Sequence, residues 1–215
     1  MKQFAVIGLG RFGRSVALTL AKMGYDVLAV DSSEEKVNSI IEHVTHAVQA
    51  DARDEQALKS LGIRNFDVAI VAIGHDIQSN ILVTVLLKEM GVKKVVSKAV
   101  SELHGKVLEK VGADKVVFPE RDMGVRVAHA LVSKNIVDQI NISPDYSIIE
   151  LVAPDEFVGK TLAEGAIRVR HGVTVLAIRR GDEIIISPGA KHKIEAGDVL
   201  VVVGRNDKLR SLEEM

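Results

Sequence analysis

The fold is decided by one stretch near the start of the chain, Phe4-Ala5-Val6-Ile7-Gly8-Leu9-Gly10-Arg11-Phe12-Gly13. Its leading apolar residues are typical of a strand buried on both faces, and a helical pattern over residues 15–23 follows the glycines. In a G-x-G-x-x-G turn between strand and helix, the first glycine permits the tight turn. The second lets the backbone approach a phosphate, and the third allows close helix packing. The stretch therefore predicts a nucleotide-binding turn over Gly8, Leu9, Gly10, Arg11, Phe12 and Gly13; the alternative is a tight turn that binds nothing.

Short apolar runs recur along the first half of the chain, and each is followed by a helical pattern. They cover residues 4–7, 27–30, 47–49, 68–73, 95–97 and 116–118. Strands that alternate with helices form βαβ units, and uniformly apolar strands suit a parallel sheet covered on both faces. The pattern predicts an α/β fold with a Rossmann-like, doubly wound parallel sheet over residues 1–118.

The pattern changes after residue 118. Pro119 opens a stretch of helical periodicity that runs to about Gln139, and we assign residues 119–145 to a crossover helix and a linker. Closely spaced strand patterns follow at residues 147–152, 174–179, 183–187 and 199–203, without long helices between them. Residues 146–215 are therefore predicted to form a separate, small β-rich α+β domain.

Composition excludes several classes of protein. The 28 basic and 29 acidic residues nearly cancel, so the chain lacks the field that duplex nucleic acid or an anionic membrane surface would require. The longest run without a charged residue covers residues 77–87, well short of the roughly 20 residues that span a bilayer, and we predict no signal peptide. The absence of cysteine excludes disulfides and thiolate metal sites and fits a reducing compartment.

An acidic residue completes the nucleotide pattern. Asp31 ends the second apolar run, where its carboxylate can accept hydrogen bonds from ribose hydroxyls, and Ser32 follows it. Like charge disfavours a 2′-phosphate there, so NADP is a poorer fit than NAD or an adenosine nucleotide, and the choice between those two stays open. Arg11 lies inside the loop, where a guanidinium suits a polyphosphate; the alternative is a solvated arginine at a helix start.

Further candidates stand at the ends of the later strands, the edge where ligands bind in this fold. We expect Asp51 to accept from an adenine amine and Gly74 to approach the ribose, although turn or capping roles are equally compatible with both. His75 is interpreted as a loop residue and not as a metal ligand. The remaining candidates for the nucleotide site at these strand ends are Ala52, Ile73, Asn80 and Lys98.

The sequence favours a binding module over an enzyme. It contains no Tyr-x-x-x-Lys pair, no G-x-S-x-G elbow and no H-E-x-x-H motif, and the second domain is small for a substrate domain. A redox-sensing transcription factor is excluded because the tail offers no basic recognition helix. We predict a nucleotide-binding module coupled to a sensory or assembly module, with an NAD-dependent oxidoreductase as the alternative.

Four segments carry a resemblance to a known family. They are residues 2–13, Leu61-Gly62-Ile63-Arg64-Asn65-Phe66-Asp67, Val107-Leu108-Glu109-Lys110-Val111-Gly112-Ala113-Asp114 and Pro119-Glu120-Arg121-Asp122-Met123-Gly124. The chain resembles the KtrA/KtrC branch of the Trk/Ktr family, the cytosolic regulatory subunits of bacterial potassium uptake. Members combine an RCK (TrkA-N) domain with an RCK_C (TrkA-C) domain.

The resemblance implies a non-enzymatic role. It implies homodimers assembled into an octameric ring on the inner face of the membrane, beneath a potassium-translocating subunit of the KtrB, KtrD or TrkH kind. ATP or ADP in the Rossmann cleft would then bias the ring between two forms. NAD or NADH stays open as the ligand of the cleft. Arg11 matches the loop arginine that reads the γ-phosphate. Glu120 matches the glutamate that binds a divalent cation, Mg²⁺ or Ca²⁺; the alternative is an acidic residue in the first turn of a helix, where the helix dipole favours it.

The resemblance also implies a cyclic di-AMP site between two RCK_C domains. Arg168 would meet a phosphate, Ile167 and Pro188 would flank a base, and Thr174 would complete the site. The segment Ala166-Ile167-Arg168-Val169-Arg170-His171-Gly172-Val173-Thr174 departs from common family residues at Val169, Arg170, His171 and Thr174. The alternative for Arg168 is a solvent-facing side chain beside a dimer core.

Overall fold

The computed structural model describes residues 2–132 and 136–213. Contacts within the chain divide it into two compact units, one up to Arg121 and the other from Asp122 onward. Within the described ranges, no helix combines the length and the apolar character that a membrane span requires.

The first unit contains a six-stranded parallel sheet of order β3-β2-β1-β4-β5-β6. Its strands are β1 Gln3–Ile7, β2 Asp26–Asp31, β3 His46–Gln49, β4 Val68–Val71, β5 Val95–Lys98 and β6 Lys115–Val117. The order reverses between β1 and β4, which is the switch point where ligands bind in doubly wound sheets. The predicted α/β fold is confirmed.

Helices connect these strands, and the sheet is buried on both faces. The connecting helices are α1 Arg11–Lys22, α2 Glu34–Asn38, α3 Glu55–Ser60, α4 Ile77–Glu89 and α5 Glu102–Lys110, and α6 Pro119–Val132 follows β6. Along β1 the side chains alternate between two apolar clusters: Ala5 and Ile7 pack with Leu87, and Val6 packs with Ile40. Burial on both faces explains why these strands read as continuous apolar runs.

Strand β4 ends two residues earlier than its apolar run predicts. The run continues through Ile73, but the carbonyl of Ile73 accepts a hydrogen bond from Asn80 Nδ2 at 2.6 Å instead of joining the sheet ladder. Asn80 therefore draws the chain out of the sheet at the carboxyl end of β4.

The second unit contains a five-stranded antiparallel sheet of order β10-β9-β11-β8-β7. Its strands are β7 Ile136–Asn141, β8 Tyr146–Val152, β9 Thr174–Arg180, β10 Glu183–Ile186 and β11 Val199–Arg205, and its helices are α7 Leu162–Gly165, α8 Ile167–His171 and α9 Asn206–Glu213. Phe157, Ile178 and Leu200 are among the side chains buried in its core. The separate β-rich α+β module is as predicted.

The predicted crossover helix is wrong at its carboxyl end. Helix α6 ends at Val132, residues 133–135 of the prediction lie outside the described residues, and β7 pairs antiparallel with β8, with Gln139 opposite Ile149. The β-branched residues in β7 suit a strand, and Ser147 joins the two strands through hydrogen bonds with Gln139 and Asn141. Part of the predicted linker therefore belongs to the second sheet.

Candidate nucleotide-binding cleft

A cleft of about 570 Å³ opens at the carboxyl ends of the strands in the first unit. It is where the doubly wound topology places a ligand. Most of the residues predicted from sequence line it: Gly8, Gly10, Arg11, Phe12, Asp31, Ser32, Asp51, Ala52, Ile73, Gly74, Lys98 and Glu120. Leu9, Gly13 and Asn80 do not line it.

The glycine turn leaves no room for side chains at two of its positions. Gly8 has φ +93°, and a Cβ there would lie 3.0 Å from backbone atoms of Ala72 and Ile73. A Cβ on Gly13 would lie 1.9 Å from the carbonyl oxygen of Gly8, because α1 begins directly against the turn. Gly10, by contrast, has open space where its Cβ would be. The turn therefore brings bare backbone to the cleft at the start of α1.

Asp31 fixes this turn as well as lining the cleft. Its Oδ2 accepts from the backbone N–H of Leu9 at 2.7 Å, and its Oδ1 accepts from the N–H of Ser33 at 2.9 Å. The Nζ of Lys36, on α2, lies 3.4 Å from Asp31 Oδ2. Only 8% of Asp31 is exposed. The contribution of Leu9 is thus a backbone contact beneath the cleft surface.

Asn80 joins two strand ends from behind the cleft. The side chain is fully buried, and its Nδ2 donates to the carbonyl of Ile73 at 2.6 Å and to that of Lys98 at 3.1 Å. Its Oδ1 has no hydrogen-bond partner among the described residues. Asn80 therefore positions Ile73 and Lys98, and its side chain is not exposed to a ligand in the cleft.

Acidic and basic side chains are paired around the cleft. Arg53 Nη2 lies 2.7 Å from Asp51 Oδ2, and Lys98 Nζ lies 2.5 Å from Glu120 Oε1. The hydrogen bond from Lys98 lowers the pKa of Glu120. Arg11 itself is exposed and makes no ion pair with another described residue. Its guanidinium is therefore available to an anion at the start of α1.

The described residues do not form a cation site by themselves. They contain no group of three or more His, Cys, Asp or Glu side chains arranged to hold a metal ion. Glu120 offers one carboxylate, and Lys98 already occupies it. A divalent cation would therefore need oxygen ligands from outside this set.

Several residues that line the cleft were missed in the sequence, notably Lys36, Arg53, Asp76 and Ser79. Asp76 accepts from the backbone N–H of Ser79 at 3.0 Å and from its hydroxyl, which lowers the pKa of the carboxyl group and caps α4. The Asp-x-Arg spacing of residues 51–53 was an available signal, because such neighbours can pair in a turn. His75 lies in the loop, as interpreted, and also lines the cleft.

The candidate residues of the second unit lie on α8, at the start of β9 and after β10. Ala166 joins α7 and α8 with φ +48°, and Arg168 is exposed on α8. Ile167 is only 3% exposed and packs in the core, so its predicted place beside a base is not available to its side chain. Thr174 is exposed at the start of β9, and Pro188 is half-buried.

Comparison with known proteins identifies the family. The TrkA-N domain model matches residues 4–119 and the TrkA-C domain model matches residues 146–215. The chain is 48% identical over 203 residues to the Ktr system potassium uptake protein C of Bacillus subtilis (strain 168), covering 94% of this chain and 92% of the relative. It is 46% identical over 212 residues to the Ktr system potassium uptake protein A of the same organism, covering 99% and 96%.

Solved structures agree on the fold. The GsuK RCK domain superposes with a TM-score of 0.70 at 20% identity, over 99% of this chain and 47% of that chain. The GsuK channel bound to NAD gives a TM-score of 0.54 at 25% identity, over 100% and 38%. GsuK bound to ADP gives 0.53 at 27% identity, over 61% and 34%. This chain spans less than half the length of those structures. Two matching domain models and near-full-length relatives show that it belongs to the family of Ktr system potassium uptake proteins, in which a TrkA-N domain precedes a TrkA-C domain.

Proposed function

We propose that the chain is a nucleotide-sensing regulatory subunit of a potassium uptake system and that it binds ATP and ADP in the cleft of its first unit. The observation that carries the proposal is the turn from Gly8 to Gly13, which presents backbone to the cleft beside Arg11, a guanidinium with no ion pair among the residues that the structure describes. Backbone N–H groups at a helix start together with arginine suit a polyphosphate. The names of the two Bacillus relatives supply the transport context.

Each part of the nucleotide has a counterpart in the cleft. The phosphates would lie at the start of α1, within reach of Arg11 and Lys98. The ribose would lie at the end of β2, where Asp31 and Ser32 line the cleft. A ribose hydroxyl would replace Lys36 as a partner of Asp31, because that contact is the long one at 3.4 Å. NAD is a second candidate ligand, since the related GsuK channel has been solved with NAD as well as with ADP.

A divalent cation belongs to this proposal only together with the nucleotide. Glu120 is one hard oxygen ligand suited to Mg²⁺ or Ca²⁺, and phosphate oxygens would have to supply others. The carboxylate would first have to leave Lys98. We assign no step of the mechanism to the cation.

The second unit is proposed to serve assembly and to bind cyclic di-AMP. Two copies related by a two-fold axis would present Arg168, Thr174 and Pro188 twice, which suits a two-fold-symmetric ligand with two phosphates. Homodimers would form an octameric ring on the cytoplasmic face of a membrane potassium-translocating subunit. Family membership supports this arrangement.

Regulation then requires that the nucleotide distinguish two forms of the assembly. A ligand shifts an equilibrium only by its difference in affinity between the two states. ATP and ADP differ by one phosphate, and Arg11 and Lys98 are the cations that line the cleft near the start of α1 and the end of β5. We therefore place the discrimination at that end of the cleft, and we expect no chemical turnover of a substrate.

Native mass spectrometry of protein purified without added ligand tests the proposal. We expect retained ATP or ADP, in a ratio that changes when either nucleotide is added in excess. Tightly held NADH that is oxidised when small carbonyl substrates are supplied would contradict it and favour an oxidoreductase.

A further inference from the structure

We infer that Arg53, held flat by Asp51, is the residue that stacks against the base of the bound nucleotide. The inference rests on the proposed nucleotide site and adds a residue to it. It also changes the role of Asp51, from a contact of the base to a residue that positions Arg53.

The order of the strands tells where the base would lie. The glycine turn follows β1, Asp31 ends β2, and β3 is the outermost strand on that side. A nucleotide with its phosphates at the turn and its ribose at Asp31 is therefore directed towards the end of β3. The residues that line the cleft there are Ala50, Asp51, Ala52 and Arg53.

Arg53 and Asp51 form a bidentate ion pair at that place. Asp51 Oδ1 accepts from the backbone N–H of Arg53 and from its Nε, both at 2.9 Å. Asp51 Oδ2 accepts from Nη2 at 2.7 Å. These hydrogen bonds lower the pKa of Asp51 to about 2. Because both carboxylate oxygens already accept from Arg53, Asp51 is poorly placed to accept from an adenine amine as well.

The loop after β4 also lines this cleft. Gly74, His75 and Asp76 line it, and the charge of Asp76 is close enough to contribute to the raised pKa of Arg53. Residues of both loops therefore line the same cleft. A flat base between them would meet the guanidinium of Arg53 on one side and the backbone of Gly74 on the other.

Stacking is the contact that this geometry favours. A guanidinium is planar and weakly hydrated, so its face packs well against an aromatic ring, and a bidentate ion pair fixes its orientation in advance. The ring of Phe12 lies elsewhere in the cleft, with Lys98 Nζ 5.8 Å from its centroid. More than half of the Arg53 side chain is exposed, so its outer face is open to a ligand.

Isothermal titration of the full chain with ATP and ADP tests the inference. Arg53→Ala should weaken both nucleotides by the same factor, about 5- to 30-fold, since the base is common to both. Arg53→Lys should recover little of that loss, because lysine keeps the charge and loses the plane. Arg64→Ala, an exposed arginine that does not line the cleft, is the matched control and should bind like the wild type. Thermal unfolding of the unliganded variants checks that each is folded.

A double substitution tests the role of Asp51. Asp51→Asn alone should weaken both nucleotides, but it should add nothing in the Arg53→Ala background if Asp51 acts through Arg53. Additive losses would mean that Asp51 contacts the base itself and would overturn its positioning role. A larger loss for ATP than for ADP, or full recovery in Arg53→Lys, would make Arg53 a phosphate contact and overturn stacking. If Arg53→Ala binds both nucleotides as the wild type does, the stacking role of Arg53 is wrong but the proposed nucleotide site stands. If the wild type binds neither nucleotide, the proposed function is wrong as well.

Discussion

The cleft of the first unit and the α7–α8 segment of the second, residues 162–171, present their candidate sites in opposite ways. In the cleft, backbone and a largely buried carboxylate fix the site before any ligand arrives, and one chain supplies the parts. In the α7–α8 segment, Arg168 stands exposed on a five-residue helix, and a symmetric ligand would need a second copy of the chain. A preorganised site of this kind can be tested on the single chain, whereas the site of the α7–α8 segment must be tested on the assembly.

The largest expected effect is on the binding of cyclic di-AMP to the α7–α8 segment. Replacing Arg168 by alanine removes a phosphate contact from both copies at once, a loss of about 3 to 6 kcal/mol if each is worth about 1.5 to 3. Titration with cyclic di-AMP should show one molecule per dimer for the wild type and no measurable binding for the variant. Arg170→Ala, on the same helix and 3.9 Å from Glu156, is the control and should bind normally. Equal affinity of Arg168→Ala and wild type would leave the second unit an assembly module only.

The next largest effect concerns the backbone of the cleft. Gly13→Ala places a Cβ 1.9 Å from the carbonyl oxygen of Gly8, and neither backbone segment can move without disturbing the turn. We expect the free energy of unfolding to fall by about 3 kcal/mol, measured by urea denaturation. Gly10→Ala meets no atom within 4 Å and should change it by less than about 1 kcal/mol. Similar losses from the two variants would show that the close approach at Gly13 does not constrain the turn.

A smaller effect is expected from Arg11, at the phosphate end of the cleft. Arg11→Ala should weaken ATP by about 1.5 to 3 kcal/mol more than it weakens ADP, since only ATP has the third phosphate to receive the guanidinium. Calorimetric titration measures both affinities, and Arg14→Ala, exposed on the same helix, is the control. Equal losses for the two nucleotides would place Arg11 away from the terminal phosphate.

The smallest expected effect is on the free energy of unfolding, and it concerns two carboxylates that are each paired with an arginine. Asp198 in the second unit is 1% exposed and accepts from Arg180 Nε at 2.8 Å, whereas about half of Asp51 is exposed. The hydrogen bond from Arg180 lowers the pKa of Asp198 below its ordinary value of 3.8. The stability that it contributes is therefore complete above about pH 4 and is lost as the pH falls further.

Unfolding experiments between pH 7 and pH 2 measure this contribution. Asp198→Asn should cost about 1.5 kcal/mol at pH 7, and its difference from the wild type should shrink as the pH falls. Asp51→Asn should cost less, because water screens an exposed pair. A difference for Asp198→Asn that stays constant over this range would show that the charge of Asp198 does not stabilise the second unit.

The two sheets differ in how far they could be predicted from the sequence. The doubly wound sheet follows from local patterns, since buried strands and a glycine turn can be recognised without knowing their neighbours. Strand β7 could not be recognised in this way, because Ile136 and Ile140 fit a helical spacing as well as a strand. Pairing with β8, including the hydrogen bonds of Ser147, decides the outcome, and that pairing is not a local property.

Some residues of the candidate site could be predicted from the sequence, and others could not. Residues that line the cleft through backbone position, such as Gly8 and Gly74, follow from the motif and the strand ends. Asn80 was assigned to the cleft because it lies one turn into the helix that follows a strand end, but its side chain turns inward and donates to two carbonyl groups. Arg53 was missed because its position depends on the ion pair with Asp51, which sequence spacing allows but does not require.

The central claim is that the cleft holds an adenine nucleotide with Asp31 at its ribose. Calorimetric titration of ATP and ADP into the wild type, Asp31→Asn and Asp26→Asn tests it most directly, because Asp26 begins the same strand at the end away from the cleft. We predict saturable binding of both nucleotides to the wild type and to Asp26→Asn, and about 10-fold or greater weakening of both by Asp31→Asn. Absence of saturable binding to the wild type, or equal affinities for all three proteins, would contradict the account.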